Sequence, residues 1–270
     1  MWRFVALFVA LVAGVAAAVW YYRSAPTAAP VSVVTREARD DDRWLDDLQS
    51  RSPKDVEAAT AALEQRGTAA LPAIRRTLQD PGADPARRKA ALKGAAILGV
   101  RAAEAIPDVA AALGDPQFAP EAGLALSFMG SPAVDTLRGA LGADEPVVRR
   151  EALRALGKLR ERASIDPQVV VPLLLSALED GDGGVRHVAV TYLGIVRDRP
   201  DEEVDGLIRA LKDSQAEVRQ AAALALSSYG LDAERAVPAL TKASTKDPDE
   251  DVQREAARAL VHIAELKGKA

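Results

Sequence analysis

Apolar residues recur along this chain at the three- and four-residue spacings of amphipathic helices, and the pattern itself repeats. Leu71, Ile74 and Leu78, then Ile106, Val109 and Leu113, then Val204, Leu207 and Leu211 form stripes on short helices. A longer Ala/Leu-rich helix follows each short one, introduced by an Asp and usually a basic residue and ending near Gly: Asp144 to Gly157, Asp180 to Gly194 and Asp213 to Gly230 are clear copies. Aligned on this second helix, six copies place Arg88, Ala119, Arg149, Arg186, Arg219 and Gln253 at one equivalent position, a period of 30 to 37 residues. A unit so short cannot bury its own apolar face, so neighbours must stack to complete a core. In the first helices Pro72, Pro107, Pro172 and Pro238 share a position with Asp135 and Asp205. Proline is tolerated in the first helical turn and Asp is favoured there, so this position reads as a helix start. Gly67, Gly99, Gly130 and Gly230 are expected to close helices with left-handed backbone angles.

The pattern changes at the amino terminus. Phe4 to Tyr22 is a run of 19 residues without a charge, bounded by Arg3 and Arg23 and ending in Trp20-Tyr21-Tyr22. That length spans a bilayer, and the aromatic cluster suits its interface. Residues 1–23 are therefore expected to be a single hydrophobic helix, a signal anchor or transmembrane span; a cleaved signal peptide is the alternative, given Ala16-Ala17-Ala18. Residues 24–43 read as an extended Ala/Pro-rich linker and 44–270 as the repeat domain, with Trp44 to Gly67 a degenerate polar cap. Arg23, Arg36, Arg39 and Arg43 follow the span, which by charge count holds the domain in the cytoplasm, but Asp40, Asp41 and Asp42 sit among them and long domains translocate with little regard to charge. The expected location is a single-pass membrane protein with a periplasmic, extracytoplasmic solenoid, the cytoplasmic side staying open.

Composition narrows the chemistry. The 270 residues hold no cysteine, which removes disulfides and thiol nucleophiles. Aromatic content is 4%, so Ala, Leu and Val must fill the core between closely packed helices. From Ser24 onward 33 basic residues face 39 acidic ones, which argues against general nucleic-acid affinity.

The repeat resembles the HEAT-repeat family, in particular the short HEAT-like repeats named after the phycobilisome lyases, whose consensus runs Ile/Val-Pro-x-Leu, Leu-x-Asp, then Val-Arg-x-x-Ala-x-x-Ala-Leu-Gly. The match covers residues 70 to 265 and is clearest at Val148-Arg149, Val185-Arg186 and Val218-Arg219. The resemblance implies an all-α, right-handed α-solenoid of stacked helix pairs. It also implies a ladder of hydrogen bonds from repeat to repeat, here among Asp144, Asp180, Asp213 and Asp247 and Arg149, Arg186 and Arg219. Ala119 and Gln253 depart from it.

HEAT resemblance further implies that the second helices line the concave face. Counted from the ladder position, offsets +1, +5 and +9 point away from the buried arc. They carry Lys89, Lys93, Arg150, Arg154, Lys158, Arg254 and Arg258, with His187 and an apolar patch of Leu124, Phe128, Ile195 and Leu224. None of these eighteen positions is acidic, although 39 acids in 270 residues lead one to expect two or three. A basic groove follows, suited to an acidic or amphipathic segment of another protein; the competing reading is a solvated face whose arginines pair with Glu151 and Glu255.

Other chemistry is sparse. His187 and His262 lack the following Glu that holds iron in HEAT-type hydroxylases, and Asp247-Asp249-Asp251 begins a calcium loop but has Val252 and Arg258 at its sixth and twelfth positions. Gly181 to Gly184 is too short for a dinucleotide fingerprint. The expectation is thus a membrane-tethered, non-enzymatic scaffold binding a protein partner, attached to the membrane through residues 4–22, with no metal, cofactor, nucleic acid or small-molecule substrate. The alternative is a lyase-like enzyme or subunit related to the bilin lyases.

Overall fold

The computed structural model describes residues 42–269. The hydrophobic helix and linker expected over 1–41 lie outside the described residues. A short helix, α1 (Arg43–Asp47), and α2 (Pro53–Arg66) precede six helix pairs: α3 (Leu71–Gln79) with α4 (Pro85–Leu98), α5 (Ile106–Leu113) with α6 (Ala119–Met129), α7 (Val134–Ala140) with α8 (Pro146–Glu161), α9 (Pro167–Ala177) with α10 (Gly183–Val196), α11 (Pro200–Ala210) with α12 (Ala216–Ser228), and α13 (Val237–Lys246) with α14 (Glu250–Lys267). No strand occurs among the described residues.

Starts follow the sequence chemistry. Asp84 accepts from the Ala86 N–H, Asp166 from Gln168, Asp182 from Val185, and Asp249 from Asp251 and Val252, so each satisfies amides that have no helical partner. Two expectations need correction. Pro172 and Asp205 do not begin their helices: α9 and α11 start five residues earlier, at Pro167 and Pro200, and Pro172 lies inside α9. Asp166 already caps that earlier start and Pro167 presets its backbone, which outweighs the one hydrogen bond Pro172 removes. The second correction concerns the glycines. Gly67, Gly99 and Gly130 have positive φ, but ψ of −132°, −131° and −157° puts them outside the left-handed helical well, in a region open essentially to glycine.

The second helices α4, α6, α8, α10, α12 and α14 stack in one continuous row, whereas the first helices touch only sparsely. Small residues set the spacing of that row. A Cβ on Gly157 of α8 would lie 2.3 Å from the Tyr192 ring of α10, and one on Gly194 of α10 would lie 2.8 Å from Ala225 of α12. Both lie inside their helices, eight residues after the ladder position, and α8 and α10 continue past them to Glu161 and Val196. The core is mostly Ala, Leu and Val, and α1 with α2 covers the open side of α4 through Trp44, Leu45, Leu48, Ala59 and Leu63. Such a cover is what a solenoid end requires.

Candidate functional site

The second helices form the continuously packed row, and its exposed positions share one side, the inner face that HEAT resemblance leads one to expect. Its two edges are built differently.

At the amino-terminal ends of the second helices, guanidinium groups reach forward one repeat. Arg149 donates to Asp180 at 2.8 and 2.7 Å, Arg186 to Asp213 at 2.6 and 2.8 Å, and Arg219 to Asp247 at 2.8 Å twice. The third nitrogen of each returns to carbonyls of its own loop, Ala143 and Asp144, Asp180 and Gly181, or Asp213 and Ser214. Such two-pronged pairs fix direction as well as charge. Hydrogen bonds from Arg149 and Arg219 hold the Asp180 and Asp247 carboxyls below their ordinary range; for Asp213 burial pushes the other way and Arg186 overcomes it. Asp144 contributes its carbonyl and not its carboxylate. Gln253 keeps the carbonyl bond, to Asp247 at 2.6 Å, but has no guanidinium to pass on. Arg88 bonds the Asp80 carbonyl at 2.6 Å and lies 5.6 Å from the Phe118 ring centroid, and its Nε has no partner. The rungs therefore run from α8 to α14 and are missing before α8.

At the opposite edge different residues tie the repeats. Arg160 grips Asp198 at 2.6 and 2.8 Å, Arg162 donates to the Ser127 carbonyl, and Arg197 to that of Ser228. Tyr229 donates from its hydroxyl toward the Leu193 carbonyl and Glu203, a fully buried carboxyl that also accepts from the Asp198 and Arg199 amides. Burial raises the Glu203 and Tyr229 pKa values above their usual ranges.

Across the inner face between these edges, Leu124, Phe128, Ile195 and Leu224 are 43%, 44%, 42% and 57% exposed, so the apolar patch is open to solvent. The Arg162 guanidinium covers the Phe128 ring at 4.0 Å from its centroid. The cations are less free than the sequence suggested. Lys89 pairs with Glu121 at 2.7 Å, Arg150 and Arg154 both turn to Glu151, Arg258 pairs with Glu255 at 3.2 Å, and Arg254 with Asp251. Lys93 donates to the Leu48 carbonyl of α1. Glu121, Glu151 and Glu255 all stand two residues after the ladder position; the pairings with Glu151 and Glu255 are those of the competing reading, and Glu121 adds a third. Lys158 is half-buried and His187 is exposed. The calcium-like aspartates are each committed elsewhere, Asp247 to Arg219, Asp249 to the α14 cap and Asp251 to Arg254. Among the described residues no group of three or more His, Cys, Asp or Glu is placed to hold a metal.

Residues 171–261 match the family model for HEAT repeats and residues 148–180 that for the PBS lyase HEAT-like repeat. The bilin biosynthesis protein MpeU of Synechococcus sp. (strain WH8020) is 32% identical over 130 residues, 48% of this chain and 42% of that protein, so the chain spans about two-fifths of the length of this relative. A chain of the Kap95p–RanGDP structure superposes with TM-score 0.64 at 17% identity, over 86% of this chain and 34% of that one, a likeness of fold alone. A chain of the CpcE–CpcF complex of phycocyanin lyase from Nostoc sp. PCC7120 has TM-score 0.49 at 23% identity, over 58% of this chain and 98% of that one.

These findings correct the functional expectation. MpeU, a bilin biosynthesis protein, is a relative by sequence, and that likeness overturns the expectation of a membrane-tethered, non-enzymatic scaffold. The single-pass membrane location is likewise unsupported: no helix among the described residues is long and apolar enough to cross a membrane, and the span expected over residues 4–22 lies outside them. The rungs from Arg149 to Asp247, the stacked pairs and the family matches agree on one statement, that this chain carries HEAT repeats, one of them of the PBS lyase type.

Proposed function

We propose that this chain is a lyase-like enzyme or enzyme subunit related to the bilin lyases, a right-handed solenoid that works on an open-chain tetrapyrrole together with a second protein. The observation that carries the reading is the 32% identity to a bilin biosynthesis protein over nearly half of the chain. The inner face supports it chemically. A bilin is a long, largely apolar molecule with two propionate groups. Leu124, Phe128, Ile195 and Leu224 offer exposed apolar surface, and Arg150, Arg154 and Arg258 come from second helices of the same row. Glu151 and Glu255 are largely buried, with side chains 7% and 13% exposed, so the arginines stay with them and meet a propionate through the guanidinium N–H groups left over from those pairs. Lacking cysteine, the 270 residues provide no thiol for a pigment, so a covalent acceptor thiol must come from outside them. The face thus holds and presents the pigment, and its protein partner receives it.

Titration with biliverdin, read by visible absorbance, tests this. Saturable spectral change is expected, weakened by Leu224→Asp and Arg154→Glu. A spectrum unchanged at a large excess of protein, with no pigment transfer on adding an acceptor protein, refutes it.

A further inference from the structure

The rung edge carries a second candidate site, beyond the inner face. Between α11 and α13 a cleft of about 310 Å³ opens, walled by Leu211, Ala239, Ala243 and Pro248. Leu211 and Ala243 are buried, so the cleft has an apolar floor. Its two carboxylates, Asp213 and Asp247, are each neutralised by a two-pronged arginine. Three more side chains line it: Lys212, Lys242 and Lys246, all exposed and without a hydrogen bond or ion pair. Three unmatched cations around one apolar cleft stand out in a chain whose acids outnumber its bases, 39 to 35.

The preceding cleft, between α9 and α11, shows that this is not a general feature of the repeat. It measures about 430 Å³ and is also lined by two rung aspartates, but there Glu179 stands 4.0 Å from Arg209 and Lys212 is the single lysine.

We propose that the α11–α13 cleft binds a small organic anion, a carboxylate carried on a short apolar body. The lysines attract the charge, and the floor distinguishes an organic acid from an inorganic ion, which gains nothing from Leu211, Ala243 or Pro248. A volume near the lower end of the roughly 300–1,000 Å³ range of ligand pockets admits one ring or a short chain and excludes a tetrapyrrole. The site is therefore distinct from the pigment surface, and either can fail without the other.

The test is a titration of the full 270-residue chain with 4-phenylbutyrate, followed by amide NMR shifts. Saturable shifts confined to residues 211–219 and 239–248 are expected. Lys242→Gln with Lys246→Gln should raise Kd about fivefold or more, two exposed charges being worth roughly 1 kcal/mol together. Circular dichroism should be unchanged, since both side chains are exposed. The neutral 4-phenylbutanol and inorganic phosphate should each bind several-fold more weakly. Shifts that never saturate or spread over the surface overturn the proposal, as does an unchanged Kd in the double variant. Equal binding of the alcohol leaves only an apolar cleft, and equal binding of phosphate leaves only a charge patch, and both outcomes reject an organic-anion site.

Discussion

Replacing Arg186 by Ala removes one rung and leaves its acceptor stranded. The Asp213 side chain is 9% exposed and that of Arg186 is 12% exposed, so the pair is largely withdrawn from water. Without Arg186, Asp213 keeps the Gln215 amide at 2.9 Å and loses two short charge-assisted bonds; the carbonyls of Asp180 and Gly181 lose their donor as well. Breaking one side of a fully buried ion pair costs about 3–5 kcal/mol. Residual solvent access and the surviving amide reduce this to roughly 2–3 kcal/mol. Urea unfolding followed by circular dichroism, with Asp213→Asn and the double variant completing a cycle, measures the loss and the coupling. Arg88→Ala is the internal control: Arg88 grips no carboxylate and strands none when removed, so its loss, one hydrogen bond to the Asp80 carbonyl and a contact with the Phe118 ring, should cost less, about 1–2 kcal/mol. A loss below about 0.5 kcal/mol in Arg186→Ala, or equal losses in the two variants, would show that the rungs do not hold the repeats together.

The rungs also set an acid limit. Asp180, Asp213 and Asp247 have lowered folded-state pKa values, so they add stability above the unfolded value of about 3.9 and lose it as pH falls through the lowered values. Stability should drop below about pH 4, and the triple Asp→Asn variant should flatten that slope in acid titrations followed by circular dichroism. Glu203 has the opposite sign: its raised pKa favours the fold most below about pH 4.3, with that share lost as pH rises through the folded value. Gly157→Ala gains helix propensity but drives a methyl group into Tyr192; a net loss of about 1–2 kcal/mol is expected, recovered in part by Tyr192→Leu, with the thermal midpoint as readout. Ala163 holds φ of 53°, where a side chain is strained, and Ala163→Gly should stabilise by about 1 kcal/mol. An unchanged or lower midpoint rejects that strain.

The repeats were legible because burial imposes its spacing six times over. The Arg149, Arg186 and Arg219 rungs could be anticipated from a motif recurring in register, whereas Arg160 and Asp198, an equally close pair at the other edge, occur once and leave no periodic trace. The inner face was read too simply. Helical spacing offered both a free basic face and arginines paired with Glu151 and Glu255, and spacing alone does not choose between them; the burial of Glu151, 6% exposed, draws Arg150 and Arg154 to it. Pro172 misled because a helix start depends on which competing signal lies upstream, and Asp166-Pro167 lies one and a half turns before it. The lyase-like reading stood second in the sequence because stacked Ala and Leu helices specify the scaffold and offer no catalytic cluster; only the family resemblance of the repeat pointed to it.

The unequal distribution of rungs also bears on how the chain acquires its shape. In a linear array, order spreads from wherever neighbouring units couple most strongly. Arg149, Arg186 and Arg219 tie α8 to α14, while the Arg88 and Ala119 positions form no carboxylate rung. Rungs of this kind favour the carboxy-terminal half as the nucleus, with α3 to α6, which are tied instead by Arg75 to Asp108 at 2.7 Å and Lys89 to Glu121 at 2.7 Å, adding to it later. On a ribosome the amino-terminal helices emerge first, so they wait, unfinished, for the half that templates them.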